Sequence, residues 1–188
     1  MRLGIDFGTT RTRVAAAIRG NYPLITFQAE HGDALDWYPS LIAAQGDHVA
    51  FGIRAQAVQY EPGWDLLRSF KRLLGDSHPE AVWRVGDVEL PVLGWMTRFL
   101  TALRQDLTNR SNLEIGPRDR LEVMVGTPAH ANSNQRFLTL EAFRRAGFEV
   151  IGMLNEPSAA GIEYAHRYRK AGLSRRREHV VVYDLGGG

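Results

Sequence analysis

Two short stretches of this sequence carry the same pattern. Gly4-Ile5-Asp6-Phe7-Gly8 and Val182-Tyr183-Asp184-Leu185-Gly186 each run from apolar strand residues to an aspartate, one more apolar residue and a glycine. A strand that ends in a carboxylate and then turns on small residues presents backbone N–H groups to an anion. Two such units imply two related lobes facing each other across a cleft. The second unit runs into Gly186-Gly187-Gly188 with no return strand after it. The expectation is a chain that stops at the start of the second lobe.

Between the two units lies Asn155-Glu156-Pro157-Ser158-Ala159-Ala160-Gly161. Asn155 suits a helix cap and Pro157 suits a first turn, where no backbone donor is lost. Ala159, Ala160 and Gly161 leave one helix face nearly bare, as at a seam between moving lobes. Glu156 stands at the positive end of the helix dipole, and a charged group, expected to be a metal-bound phosphate, should lie ahead of it.

The rest of the chain reads as alternating strands and helices. Strands are expected over 2–6, 12–18 and 22–27, with Arg19-Gly20-Asn21 as a hairpin turn. Short strands follow over 39–44 and 48–51, helices over 52–60 and 64–74, and a strand over 85–90. Residues 93–107 have helical apolar spacing, with Trp95, Met96 and Phe99 read as core. A boundary falls at Gly116-Pro117. Then come a strand over 121–125, a helix over 132–146 closed by Gly147, a strand over 148–154 and a helix from Glu156 to about residue 170. This alternation predicts parallel pairing in an α/β sheet.

Composition narrows the class. The 188 residues are 44% hydrophobic and 23% charged, with a net charge of +2 and no cysteine. Disulfide scaffolds and thiolate metal sites are therefore excluded. The start shows no apolar leader and no run is long enough for a membrane span, so a cytoplasmic location is expected. The only lysines are Lys71 and Lys170. Arg175-Arg176-Arg177 lacks interleaved aromatic residues and reads as a charged turn, so no nucleic-acid partner is expected.

The chemistry-bearing residues follow from the two turns. Gly8, Thr9 and Thr10 form one anion nest with two added hydroxyls, and Gly186, Gly187 and Gly188 form another. Asp6 and Asp184 precede them at strand ends, as hard-oxygen partners of Mg²⁺ through its waters.

Gly4-Ile5-Asp6-Phe7-Gly8-Thr9-Thr10, Asn155 to Ala160 and Asp184 to Gly188 resemble the phosphate-1, connect-1 and phosphate-2 motifs of the actin-like ATPase superfamily. Phe70-Lys71-Arg72-Leu73-Leu74-Gly75 is similar to the lysine segment of Hsp70 chaperones. Thr127-Pro128-Ala129 with Asn132, Gln135 and Arg136 also follows the Hsp70 pattern. The resemblance spans the whole chain but only the first lobe of that nucleotide-binding domain.

It implies an α/β, ribonuclease H-like lobe with a mixed five-stranded sheet and flanking helices. Residues 1–38 and 116–172 would form one subdomain. Residues 39–115 would form a smaller α+β insertion carrying Lys71, and 173–188 would begin a second lobe. As catalytic residues it implies Lys71 at the γ-phosphate and the attacking water, Glu156 ordering the water and metal shell, and Asp184 positioning the nucleophile. Asp6 would bind Mg²⁺ through water, as Asp184 would. Gly8, Thr9, Thr10 and Gly186 to Gly188 would hold ATP or ADP, and Pro128 and Arg136 would relay nucleotide state. ATP and Mg²⁺ are expected to bind only weakly to these 188 residues alone.

Implied partners are unfolded peptides or client proteins and a nucleotide-exchange factor. Gly152 replaces an arginine that many Hsp70s use towards J-domain proteins, which speaks against that partner. Ser158 stands for the usual threonine, and Asp76 for a common basic residue. The strand expected at 178–184 has an unpaired edge, which predicts pairing with another copy or folding back. Competing readings are a sugar or metabolite kinase, a filament-forming protein and a regulatory relative of the same superfamily. The lysine segment speaks against the kinase.

Overall fold

A computed structural model describes residues 1–75, 77–78, 80–116, 118–168 and 179–182. The N-terminal strand β1 (Arg2–Phe7) sets the architecture. Leu3, Ile5 and Phe7 are buried on one side, while Arg2, Gly4 and Asp6 alternate to the other. On one edge β1 pairs antiparallel with β2 (Arg11–Ala16).

Beyond β2 come the two-residue strands β3 (Phe27–Gln28), β4 (Ala34–Leu35) and β5 (Tyr38–Pro39). Then follow β6 (Leu41–Gln45), β7 (His48–Phe51), α1 (Gly52–Val58), β8 (Asp65–Arg68) and α2 (Phe70–Leu73). The hairpin β9 (Val82–Val85) and β10 (Val88–Pro91) leads into α3 (Val92–Asn109). The chain continues through β11 (Glu122–Thr127), α4 (Ser133–Arg145), β12 (Glu149–Asn155) and α5 (Glu156–Tyr168).

The main sheet has the order β12-β11-β1-β2-β5. Its β12, β11 and β1 strands run parallel, and β2 and β5 are antiparallel. This is the expected mixed five-stranded sheet. One face is packed by α3 and α4, whose Phe99 and Phe143 rings meet Phe7 at 5.9 and 6.1 Å. The opposite face carries Gly4, Asp6, Met124 and Ile151 outward. Asn132 caps α4 by accepting from the Gln135 N–H at 2.8 Å. At the other end Gly147, at φ +87°, lets Phe148 N–H reach the Phe143 carbonyl, the Schellman closure expected there.

A second sheet, β7-β6-β8, lies between the β5 segment and α2 in the chain. Here the structure departs from the sequence reading. Residues 64–74 are not one helix but β8 followed by α2. Leu66 packs into one apolar cluster and Leu67 into the other, a period of two that only an extended chain satisfies. Ser69, in the left-handed region at φ 53°, redirects the strand into α2.

The expected strand over 85–90 is a hairpin turning at Gly86-Asp87, Gly86 having φ +60°. Trp95 Nε1 donates to the Trp83 carbonyl at 2.9 Å and fastens this hairpin to α3. Residues 22–27 do not form a full third strand, because Pro23 has no N–H to give to a ladder. What holds it to β2 is the isolated bridge Ala15 to Leu24, with Ile25 N–H donating to the Val14 carbonyl and Ala16 N–H donating to the Pro23 carbonyl. The turn itself is as expected: Arg19 and Gly20 both have positive φ, the geometry of a two-residue hairpin.

Of the strand expected over 178–184 only 179–182 are described; these lie in no strand, and no strand among the described residues pairs with them. Asp184 and Gly186 to Gly188 lie outside the described residues, as do Asp76 and Arg175 to Arg177.

Candidate nucleotide site at the carboxyl ends of the sheet

The three parallel strands bring their carboxyl ends into line. Asp6 pairs with Gly126, Gly126 with Leu154 and Thr127 with Asn155, so Asp6, Thr127 and Glu156 come to one edge. In open α/β sheets this edge is where ligands bind. A side chain on Gly126 would begin 3.6 Å from the Asp6 Cα and 3.7 Å from the Glu156 Cγ. A side chain here would pack in ordinary contact against both residues.

Lys71 reaches the same edge from α2. It is 6% exposed, and its ammonium lies 3.1 Å from Glu156 Oε1 and 5.6 Å from the centre of the Phe7 ring. A lysine buried this deeply needs a compensating charge, and Glu156 supplies it. Phe70, the first residue of α2, holds the helix by packing between Phe7 and Phe99, at 6.0 and 5.1 Å. The charge that Glu156 meets in this structure is the Lys71 ammonium.

The turn after β1 is tight. A Cβ on Gly8 would stand 2.1 Å from the Arg11 carbonyl oxygen, so no other residue fits the turn as it stands. Thr9 is half-buried and Thr10 exposed. The Gly8 carbonyl accepts from Ser40 Oγ at 2.8 Å, and the Thr10 carbonyl accepts from the Ser40 N–H at 3.1 Å.

Arg136 joins the far side of the edge. It donates to Asn155 Oδ1 at 2.7 Å, to Thr127 Oγ1 at 3.4 Å and to the Ala131 carbonyl at 3.2 Å. Pro128 belongs to the same turn, its carbonyl accepting from the Ala131 N–H at 3.1 Å. Asn155, expected as a helix cap, closes β12 and receives Arg136. Met124 sulfur lies 3.0 Å from where a side chain on Gly152 would start, so a thioether fills the space an arginine would enter.

Asp6, Gly8, Thr9, Thr10, Lys71 and Glu156 therefore gather at one edge, with Pro128 and Arg136 beside them. Sequence reasoning missed Phe7 as the ring beneath Lys71, and Ser40 and Thr12 as the hydroxyls behind the turn. Ser40 did carry a signal: it stands alone as a hydroxyl in an otherwise apolar run, where burial demands a partner.

The arrangement fits a metal-bound phosphate. Among the described residues no group of three or more His, Asp or Glu could hold a metal ion. Mg²⁺ does not require one, since it keeps its waters and takes one or two carboxylates plus phosphate oxygens. The residues that could hold such a group are Asp6, exposed at the end of β1, and Thr9 and Thr10 of the turn after it.

Residues 99–188 match the Hsp70 protein family. The chain is 32% identical over 206 residues to the "Chaperone protein HscA homolog" of Colwellia psychrerythraea, an alignment covering 98% of this chain and 30% of that protein. The chain belongs to the Hsp70 family. The "Chaperone protein HscA" of Cronobacter sakazakii is 33% identical, with 98% and 31% covered. The "Chaperone protein HscA homolog" of Bordetella petrii is 34% identical, with 100% and 31% covered. The Hsp70-family chain described here thus spans about 30% of the length of the curated relatives it matches. The lobe fits an actin-like ATPase fold, and among the described residues no helix is long and apolar enough to cross a membrane.

Proposed function

We propose that this chain is the first lobe of an Hsp70-type ATPase, in which Mg-ATP hydrolysis drives binding and release of unfolded peptides. The carrying observation is the buried Lys71 held 3.1 Å from Glu156 beside the Gly8 turn. In this reading Thr9 and Thr10 with the Gly8 backbone bind phosphate oxygens. Lys71 stabilises charge on the γ-phosphate and orients water, and Glu156 holds Lys71 and the water shell. Asp6 holds metal-bound water, and Asp184 with Gly186 to Gly188 completes the metal and phosphate contacts. Mg²⁺, when bound, neutralises phosphate charge. Phosphoryl transfer of this kind depends on positioning and charge stabilisation rather than on a covalent protein intermediate.

The same reading divides the chain into 1–38 with 116–172, an insertion over 39–115, and the start of a second lobe over 173–188. The separate three-stranded sheet of β6, β7 and β8 supports the insertion. Pro128 and Arg136 act as the relay, supported by their shared turn at Ala131. A nucleotide-exchange factor, client peptides and a cytoplasmic location belong to the proposal. A J-domain partner does not, given Gly152. Val180 and Val181, 48% and 89% exposed, support self-association of these 188 residues through 178–184. Sedimentation showing a monomer at all concentrations removes that element.

The deciding experiment is single-turnover ATP hydrolysis by the full-length protein, with and without unfolded peptide, beside Lys71→Ala. Slow hydrolysis that peptide accelerates and the substitution abolishes supports the chaperone cycle. Hydrolysis indifferent to peptide overturns it in favour of the kinase or filament readings.

A further inference from the structure

Ser40 is buried, at 4% exposure, and its hydroxyl and backbone N–H both bond to the turn proposed to hold phosphate. Its hydroxyl donates to the Gly8 carbonyl at 2.8 Å and its backbone N–H donates to the Thr10 carbonyl at 3.1 Å. Thr12, also buried, places its hydroxyl 3.0 Å from the Ser40 oxygen. A serine hydroxyl has one proton, and a carbonyl only accepts. The Ser40 proton therefore goes to Gly8, and Thr12 must be the donor to Ser40. The chain of donors runs one way: Thr12 Oγ1 to Ser40 Oγ to the Gly8 carbonyl.

This has a consequence for the opposite side of the turn. No peptide bond among the described residues is cis. In a trans peptide the carbonyl and the following N–H point in opposite directions. With the Gly8 carbonyl drawn towards buried Ser40, the Thr9 N–H is turned away from the core. With the Thr10 carbonyl drawn to the Ser40 N–H, the Arg11 N–H is turned likewise. One residue thus orients two peptide planes of the turn that the proposed function assigns to phosphate.

We propose that Ser40, supported by Thr12, is a positioning residue for phosphate binding: it holds the Gly8–Thr9 and Thr10–Arg11 peptides with their N–H groups presented to a nucleotide's phosphates. This rests on the ATPase reading above and extends it to residues that touch no ligand. Gly8 makes the turn possible, whereas Ser40 selects its orientation.

The test compares the affinity of the full-length protein for ATP, ADP and adenosine. A residue that only supports folding would weaken all three together. Ser40→Ala is expected to weaken ATP and ADP by about tenfold, the scale of one lost buried hydrogen bond, and to leave adenosine within about twofold. Ser40→Thr, which keeps the hydroxyl, is expected to restore the ratio. Thr12→Val removes the donor to Ser40 but leaves the bond to Gly8, and is expected to lower the ratio by about threefold; it carries the test if Ser40→Ala does not fold. Wild-type protein that binds ATP, with the ATP-to-adenosine ratio unchanged in both Ser40→Ala and Thr12→Val, overturns the inference alone. Wild-type protein that binds neither ATP nor adenosine overturns the ATPase reading, and this inference with it.

Discussion

The Lys71 ammonium lies 3.1 Å from the Glu156 carboxylate although the two are 85 residues apart in sequence. Lys71 comes from a four-residue helix behind the second sheet, and Glu156 from the first turn after β12. Their meeting point is the carboxyl edge of the parallel strands, so the pair ties α2 to the main sheet beside the proposed phosphate turn.

The two halves of this pair should fail in opposite ways. Lys71→Met removes a buried charge while keeping much of the apolar stem, so stability should hold or rise. ATP hydrolysis should fall by about 100-fold or more, the scale of losing one charge-stabilising group. Glu156→Ala instead leaves the buried ammonium without its carboxylate, and should lose about 1–3 kcal/mol as well as activity. Urea unfolding beside single-turnover hydrolysis checks both. Equal destabilisation by the two substitutions would show that the pair is only structural.

Gly4 and Gly8 are four residues apart and should respond oppositely to alanine. A methyl on Gly4 meets nothing within 4 Å, and alanine costs the unfolded chain less freedom, so Gly4→Ala should be neutral or gain up to about 1 kcal/mol. On Gly8 the methyl meets the Arg11 carbonyl at 2.1 Å, a backbone atom that cannot swing aside. Gly8→Ala should cost about 1–3 kcal/mol and weaken ATP binding. Thermal unfolding and nucleotide titration of both variants decide the point.

Phe99 is the hub under the site, with ring centres 5.9, 5.7 and 5.1 Å from Phe7, Tyr38 and Phe70. Phe99→Ala should cost about 3–5 kcal/mol. Because Phe70 immediately precedes Lys71 and its ring lies against that of Phe99, Phe99→Leu should slow hydrolysis more than a core substitution of equal cost at Leu103, one turn further along α3. Matching the two variants for stability and then comparing their rates is the check.

Much of this architecture was legible from local pattern. The alternation in β1, the spacing in α3, and the Asn132 and Gly147 signals of α4 are each satisfied within a few neighbouring residues. What escaped depends on distant partners. Asp65-Leu66-Leu67-Arg68 has no alternation of polar and apolar residues, because both of its faces are covered and Leu66 and Leu67 enter different clusters. Only the presence of β6 makes it a strand. In the site, Asp6, Lys71 and Glu156 were visible through motifs. Ser40 and Thr12 were not, since their role is set by a carbonyl 32 residues from Ser40.

Stability should also vary with pH through one buried pair. Tyr38 donates its hydroxyl proton to Asp106 Oδ2 at 2.9 Å, and both residues are buried. Burial, with the nearby Asp106 charge, pushes the Tyr38 hydroxyl well above its usual value of 10.0. A raised folded-state value means stability that is complete below about pH 10 and lost as pH climbs towards that value, at up to about 1.4 kcal/mol per pH unit. Subtracting the Tyr38→Phe curve from wild type should isolate this alkaline decline. Burial also raises Asp106 above 3.8, despite the Tyr38 hydrogen bond and the nearby Arg54 and Arg110. The stability linked to this carboxyl is therefore complete below about pH 3.8 and lost as pH rises through the raised value, so at neutral pH the carboxylate is a net cost. Asp106→Asn keeps an acceptor for Tyr38 without the charge, and should be at least as stable as wild type at pH 7. Tyr38→Phe, which leaves that carboxylate buried without its donor, should lose about 1–3 kcal/mol. Urea unfolding from pH 4 to pH 11 distinguishes these outcomes. A clear loss of stability in Asp106→Asn at pH 7 would mean that Arg54 and Arg110 outweigh the cost of burial.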